Sequence, residues 1–143
     1  MTNKNVLFPQ LFLRIAISVT MLSAVADRFG FWGENSAWGN WANFEKYTQQ
    51  FTFFLPENLG IFSAYAATFL EILFPLLLII GFKTKIAAYG TGFLLLTFAL
   101  SMTMALGVKA PLDYSVWIGS ASAFLLAVQE KYSFTIDNLT KKI

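Results

Sequence analysis

The chain of 143 residues contains no cysteine and no histidine. Without cysteine it can form no disulfide, thiolate metal site or dithiol redox relay, and without histidine it lacks the commonest metal and haem ligand and the usual proton carrier near neutral pH. Its eight carboxylates are too dispersed for a metal cage, and Walker, dinucleotide-binding and HExxH motifs are absent. Any chemistry must therefore centre on a carboxyl, a guanidinium or a borrowed cofactor, and we expect no metal site and no nucleic-acid partner.

Charge is also scarce, whereas apolar residues are abundant. Only 13% of residues are charged and 57% are hydrophobic, against about 25% and about 45–50% in a typical soluble domain. Sixteen Phe, four Trp and a mean hydropathy of +0.60 provide more apolar surface than so small a body can bury. We therefore expect the lipid bilayer to be the main partner of this chain.

Four apolar stretches approach the length of about 20 residues that a helix needs to cross the hydrocarbon. They fall at about residues 7–29, 61–82, 86–108 and 114–128. The pattern predicts an all-α polytopic membrane protein: one domain, residues 1–143, with four transmembrane helices in a bundle. Small residues at four-residue spacing in helix four predict a close packing seam and leave oligomerisation open. They are Ser115, Gly119, Ala123 and Ala127.

The distribution of charge predicts the orientation. Lysines lie before helix one, between helices two and three and after helix four: Lys4, Lys83, Lys85, Lys131, Lys141 and Lys142. The opposite face carries three basic residues accompanied by five acids: Arg28, Lys46 and Lys109 with Asp27, Glu34, Glu45, Glu57 and Asp113. Because Lys and Arg accumulate in cytoplasmic loops, we expect both termini in the cytoplasm. The tail from residue 131 is short and polar and is predicted to be loosely ordered.

The first stretch has a second interpretation as a signal peptide. Arg14 precedes an apolar run that ends in Ala24-Val25-Ala26, which is typical of a cleavage site. The basic residue lies too deep for a normal n-region, however, and apolar residues precede it. A retained helix one also gives the even number of spans that the charge asymmetry requires.

The long connection between helices one and two predicts an amphipathic helix at about residues 37–55. Large apolar residues recur there near helical spacing: Trp38, Trp41, Phe44, Phe51 and Leu55. This helix is interpreted either as an aromatic anchor at the depth of the lipid headgroups or as a lid over a site between the helix ends.

Two charged residues, Arg14 and Glu71, fall within predicted spans, where a charge costs about 2.5–3.5 kcal/mol. Glu71 lies roughly 18 Å from Lys83 by helical rise, near the bilayer midplane and out of reach of water. Arg14 has the reach to meet it, and a guanidinium can hold a carboxylate with two bonds. The sequence therefore predicts an Arg14–Glu71 pair.

Pro75 marks the same place in helix two. It removes the hydrogen bond to the carbonyl of Glu71, so a buried carboxyl and a freed acceptor share one residue. Two interpretations of Glu71, Arg14 and Pro75 stay open: they lock the register of the bundle, or they line a polar pocket that binds a ligand or carries protons.

Four residues are candidates for the outer mouth of such a pocket. Asp27 and Arg28 end helix one, Asp113 lies in the outer turn before helix four, and Trp41 belongs to the aromatic segment. The charged three are interpreted either as solvated helix ends or as the mouth of a pocket under the Trp-rich segment.

The chain resembles the DoxX family of small bacterial four-helix membrane proteins. The resemblance is carried by Leu13-Arg14, Leu55-Pro56, Glu71, and the run from Leu76 through Gly81-Phe82-Lys83-Thr84-Lys85 to Ala87-Ala88. It covers helices one to three well and helix four only by length and hydrophobicity.

The resemblance implies a bundle in the bacterial inner membrane and an association with oxidoreductase systems, including the membrane subunit of thiosulfate:quinone oxidoreductase. Together with the buried carboxylate beside a backbone break, it leads to the hypothesis of a membrane subunit with a protein partner and a quinone as cofactor. In this hypothesis Glu71 and Arg14 bind the quinone headgroup or pass its proton, and the aromatic segment closes over it. The alternative is a non-catalytic scaffold or regulatory module that binds a partner.

Overall fold

The computed structural model describes residues 4–140, and all regular structure in that range is helical. The elements are α1 (Lys4–Arg28), a 3₁₀ turn (Gly33–Asn35), α2 (Trp41–Phe51), α3 (Glu57–Ile80), α4 (Thr84–Leu106), α5 (Lys109–Asp113), α6 (Val116–Ala127) and α7 (Ile136–Thr140). Lys141 and Lys142, which contributed to the predicted orientation, lie outside the described residues.

Within residues 4–140, three helices are long and apolar enough to cross a membrane: Val6–Arg28, Glu57–Ile80 and Thr84–Leu106. Each has 23 or 24 residues, about 34–36 Å at the rise of an α-helix, which exceeds the roughly 30 Å of hydrocarbon. Phe12, Phe69 and Phe93 are exposed on their outer faces. Such side chains would be unfavourable against water, so these faces are suited to lipid.

The predicted fourth span at residues 114–128 contains a shorter helix. Only α6 is continuous there, and its 12 residues cover about 18 Å. The chain breaks between α5 and α6 because Ser115 adopts a left-handed conformation with φ of 56°. At the other end, the hydroxyl of Tyr132 shares its one proton between the carbonyls of Leu126 and Ala127, both at 3.1 Å, and so helps to satisfy the end of α6.

The helices pack in two main pairs, α1 with α3 and α4 with α6, and α3 also contacts α4. The predicted seam is confirmed where α6 meets α4, since Ala123 and Ala127 are buried with Ala88 in the core. The hydroxyl of Ser120 donates to the carbonyl of Gly92 at 2.8 Å across this contact. Ser115, at the other end of the predicted stripe, is exposed.

Helix α2 lies in the segment that was predicted to be amphipathic. It begins at Trp41 because the Asn40 side chain accepts a hydrogen bond from the Asn43 N–H, at 2.9 Å, and caps the first turn. Its buried residues are Phe44 and Thr48, one turn apart, and it packs against α3. The helix therefore covers one end of the α1–α3 pair.

Candidate functional site

A buried ion pair joins α1 to α3. Nη2 of Arg28 lies 2.6 Å from Oε2 of Glu71, and Nη1 of Arg28 donates to the hydroxyl of Thr68 at 2.6 Å. Arg28 is 3% exposed and Glu71 4% exposed. Thr68 and Glu71 lie one turn apart on the same face of α3, so both reach the single guanidinium. Nε of Arg28 is buried and has no hydrogen-bond partner among residues 4–140.

Aromatic rings cover the other side of this guanidinium. Its central carbon lies 3.8 Å from the ring centroid of Phe44 and 5.6 Å from that of Trp38, which are distances of cation–π contact. The two rings also meet edge to face, with centroids 5.2 Å apart. Trp38 contacts Tyr47 in turn, at 5.5 Å, and burial raises the pKa of the Tyr47 phenol. Trp38, which precedes α2, and Phe44, in its first turn, thus form an apolar cover over the ion pair.

Asp27 holds this cover in place. Its carboxylate accepts hydrogen bonds from the backbone N–H groups of Ala37, Trp38 and Gly39, at 2.7, 2.8 and 3.3 Å. Bonds to a carboxylate are stronger than neutral ones, and Asp27 is itself buried. The residue beside Arg28 in the sequence therefore positions the ring that lies over Arg28.

A cleft of about 420 Å³ opens beside the ion pair. It is lined by Phe29, Trp41, Tyr65, Thr68, Phe69 and Ile72. Thr68 is shared by the cleft and the ion pair, because its hydroxyl accepts from Arg28 and donates to the carbonyl of Ala64 at 2.9 Å. The polar cluster and the aromatic cleft are thus contiguous.

The expected Arg14–Glu71 pair is not formed. Side chains lean toward the N-terminus of their own helix, and α1 and α3 run antiparallel. Arg14 therefore leans away from Glu71, whereas Arg28 and Glu71 lean toward each other. The direction of the side chains selects Arg28 over Arg14 as the partner.

Arg14 instead binds four backbone carbonyls, two at the end of α3 and two in the segment after α6. It is completely buried and donates to Leu78 and Ile79 at the end of α3, at 2.9 and 3.2 Å. It also donates to Ser133 and Phe134, at 2.6 and 3.3 Å. Buried backbone carbonyls need hydrogen-bond donors. Arg14 supplies such donors to the irregular chain after α6.

This C-terminal segment, residues 131–137, is ordered by many contacts, so the prediction of a loose tail is wrong. Gln10 donates to the carbonyl of Lys131 at 2.6 Å and accepts from the N–H of Ser133 at 3.0 Å. Asp137 accepts from the N–H groups of Lys83 and Thr84 at 2.7 and 2.9 Å and so caps α4.

The predicted site residues thus divide into separate groups. Asp27, Arg28, Trp41 and Glu71 come together around the ion pair and cleft. Arg14 lies apart from them and binds the backbone carbonyls at the end of α3 and after α6. Pro75 is buried one turn after Glu71, and α3 continues through it. Asp113 is exposed and pairs with Lys109 on α5. Asp27 and Arg28 are therefore buried rather than solvated helix ends, whereas Asp113 is exposed.

Two important residues were not singled out from the sequence. Thr68 could have been found from its position one turn before Glu71 on a helix of apolar residues. Ser133 carried no such signal, because its role depends on contacts with Leu7 and Gln10 at the opposite end of the chain.

Long apolar helices with outward-facing aromatic side chains and an ion pair buried between two of them define a small multi-pass helical membrane protein. A family model matches residues 9–104, and its description is DoxX. The chain belongs to the DoxX family. The matched region contains Arg14, Arg28 and Glu71 and ends within α4. No curated protein and no solved structure matches the chain.

Proposed function

We propose that this protein is the membrane subunit or an accessory protein of a quinone-linked oxidoreductase system. The observation that carries the proposal is the Arg28–Glu71–Thr68 cluster, which is buried between two membrane-length helices and adjoins an aromatic cleft. Charged groups at such depth are costly and mark functional sites in membrane proteins. The resemblance to DoxX proteins supports the link to quinone chemistry.

The proposed topology has four spans in the bacterial inner membrane, with both termini in the cytoplasm. Helix α6 forms most of the fourth span, and the C-terminal segment completes its inner part. The exposed Lys83, Lys85 and Lys131 mark the proposed cytoplasmic end. The Arg28–Glu71 cluster then lies toward the outer side of the membrane.

The residues of the cluster fit a quinone headgroup. A bound quinone would supply the two-electron redox chemistry that a chain without cysteine or histidine lacks in its own side chains. The buried Nε–H of Arg28 has no partner among the described residues and is a donor suited to a carbonyl oxygen. Glu71 fixes the orientation of that guanidinium, and the rings of Phe44 and Trp38 exclude water from it.

Quinone affinity tests this proposal. In full-length protein in lipid nanodiscs, Glu71→Gln should weaken binding of a tailed benzoquinone by about tenfold, because the guanidinium loses the charged acceptor that orients it. Asp113→Asn is the matched control, since it neutralises an exposed carboxylate far from the cluster. Equal affinity in both variants, or no binding to the unmodified protein, would contradict the proposal.

The direct contact between Arg28 and Glu71 favours a second candidate, a scaffold that only holds a partner subunit. In that case the pair serves folding alone. Replacing both residues together by leucine should then preserve folding and co-purification of the partner, because apolar replacement of a buried pair is often neutral. Loss of quinone binding in a folded double variant would instead favour the first proposal.

A further inference from the structure

The cleft beside the ion pair is built mainly from flat aromatic side chains. Phe29 and Trp41 stack with centroids 6.0 Å apart and an interplanar angle of 21°, and Tyr65 lies 4.6 Å from Trp41. Its volume of about 420 Å³ falls within the range of small-molecule sites. Such walls match one planar ring better than a flexible chain, because aromatic groups prefer stacked or edge-to-face contact.

The cleft is open on the side that faces away from the protein. Tyr65, Phe69 and Phe29 are all more than half exposed, and the first two belong to a helix that is long enough to cross the membrane. A ligand can therefore enter sideways from the lipid without displacing the cover of Trp38 and Phe44 over the ion pair.

An apolar stripe continues from the cleft along α3. Its members recur at alternating spacings of four and three residues and so share one helix face: Tyr65, Phe69, Ile72, Leu76 and Ile79. All five are exposed. The stripe runs from the cleft toward the end of α3 that Arg14 binds, which is the direction in which a hydrocarbon tail anchored at the cleft would lie.

We infer that this cleft is the binding site for the ring of a membrane-dissolved, hydrocarbon-tailed quinone, which enters from the bilayer and lies with its tail along the stripe. This inference rests on the proposed function and names its ligand as a lipid rather than a water-soluble reductant. Thr68 orients the ring, because this residue lines the cleft and its hydroxyl contacts Arg28. Its bond to Ala64 is a local bond to its own helix and can be exchanged for one to a ligand.

The test compares two exposed phenylalanines on the same helix. Phe69, 63% exposed, lines the cleft, and Phe62, 67% exposed, does not. The probe is decyl-benzoquinone, added to full-length protein in nanodiscs and followed by quenching of tryptophan fluorescence. We expect Phe69→Ala to weaken binding about tenfold and Phe62→Ala to leave it within twofold. Trp41→Phe should remove most of the quenching, and the tailless benzoquinone should bind at least tenfold more weakly.

The outcomes distinguish failure of the proposed binding cleft from failure of the proposed function. Normal binding in Phe69→Ala overturns the cleft but leaves the proposed function standing. No binding to the unmodified protein overturns the proposed function as well. Equal loss in both alanine variants shows that the cleft residue matters no more than the control residue and overturns the cleft. Quenching by brominated-chain phospholipid that decyl-benzoquinone does not relieve shows that an acyl chain fills the cleft, which also overturns it.

Discussion

The two buried arginines of α1 have different kinds of partner. Arg28 meets a carboxylate, a hydroxyl and the faces of two rings, whereas Arg14 meets four backbone carbonyls. A charge without a partner inside the bundle would be strongly unfavourable. The first arrangement presents side-chain chemistry beside a cleft, and the second closes the ends of chain segments. Substitutions at the two positions should therefore have different consequences.

Removal of the carboxylate at the ion pair should be costly. We expect Glu71→Leu to lower the free energy of unfolding by about 3–5 kcal/mol, because it leaves the Arg28 guanidinium buried without its counter-charge. Chemical unfolding in detergent measures the loss. Asp113→Leu breaks the exposed pair with Lys109 and should cost less than about 1 kcal/mol. Equal losses in the two variants would show that the buried pair does not stabilise the fold.

Replacement of Arg14 should release the C-terminal segment. In Arg14→Leu the carbonyls of Ser133 and Phe134 lose their donors, and each buried unpaired carbonyl costs about 1–3 kcal/mol. Hydrogen exchange of residues 131–137 should accelerate at least tenfold. Arg14→Lys should restore part of the protection, since an ammonium donates but lacks the planar fork. Unchanged exchange in Arg14→Leu would rule out this role.

At the scale of elements, irregular segments cover both ends of the packed helices, and side chains of α1 hold these segments in place. The carboxylate of Asp27 accepts hydrogen bonds from three N–H groups of the connection that leads to α2. Gln10 and Arg14 donate hydrogen bonds to carbonyls of the chain that follows α6. The long helices alone leave these ends open, and the order of the covering segments depends on a few polar side chains.

The cover over the ion pair should loosen when Asp27 is replaced. Asp27→Ala leaves the N–H groups of Ala37 and Trp38 without their acceptor, at a cost of about 1.5–3 kcal/mol for each charge-assisted bond. We expect faster hydrogen exchange at residues 37–39 and in the first turn of α2. Glu34→Ala, an exposed acid in the same connection, is the control. Equal exchange in the two variants would show that Asp27 does not hold the cover.

Gly81 tests the contact between the α3–α4 turn and the C-terminal segment. Its φ of 69° strains any other residue, and a Cβ there would lie 2.6 Å from the backbone of Thr135. Gly33, with φ of 55°, has open space around the corresponding position. Gly33→Ala should therefore cost only the conformational penalty of about 1–2 kcal/mol. Gly81→Ala should cost clearly more and should also expose residues 133–137 to protease. Equal costs would mean that the segment adjusts freely.

At the scale of the whole molecule, the features that local patterns encode could be predicted from sequence. Runs of about 20 apolar residues identify the three long helices because length and hydropathy are local properties. The amphipathic segment containing α2 follows from the spacing of Trp41, Phe44 and Phe51. These predictions need no knowledge of which helices touch.

The remaining features depend on contacts between distant parts of the chain. Depth alone favoured Arg14 as the partner of Glu71, whereas the antiparallel arrangement and the lean of the side chains select Arg28. The tail looked loose because its own residues are polar, and its order comes from Gln10 and Arg14, more than a hundred positions earlier. The contacts of Gln10 and Arg14 could be predicted only if the helices that pack against α1 were already known.

The absence of cysteine provides a direct test of the proposed topology, because single introduced cysteines can be labelled without background. The structure brings Lys131 to Gln10 and Asp137 to the α3–α4 turn, so Lys131 and Lys85 share one end of the molecule.

In intact cells, Asn35→Cys should react with a membrane-impermeant maleimide, whereas Lys85→Cys and Lys131→Cys should react only after permeabilisation. Asn35, Lys85 and Lys131 are all exposed in the folded chain, so the difference reports sidedness rather than burial. The reverse pattern would invert the orientation, and labelling of Lys131→Cys together with Asn35→Cys would exclude a fourth crossing by α6.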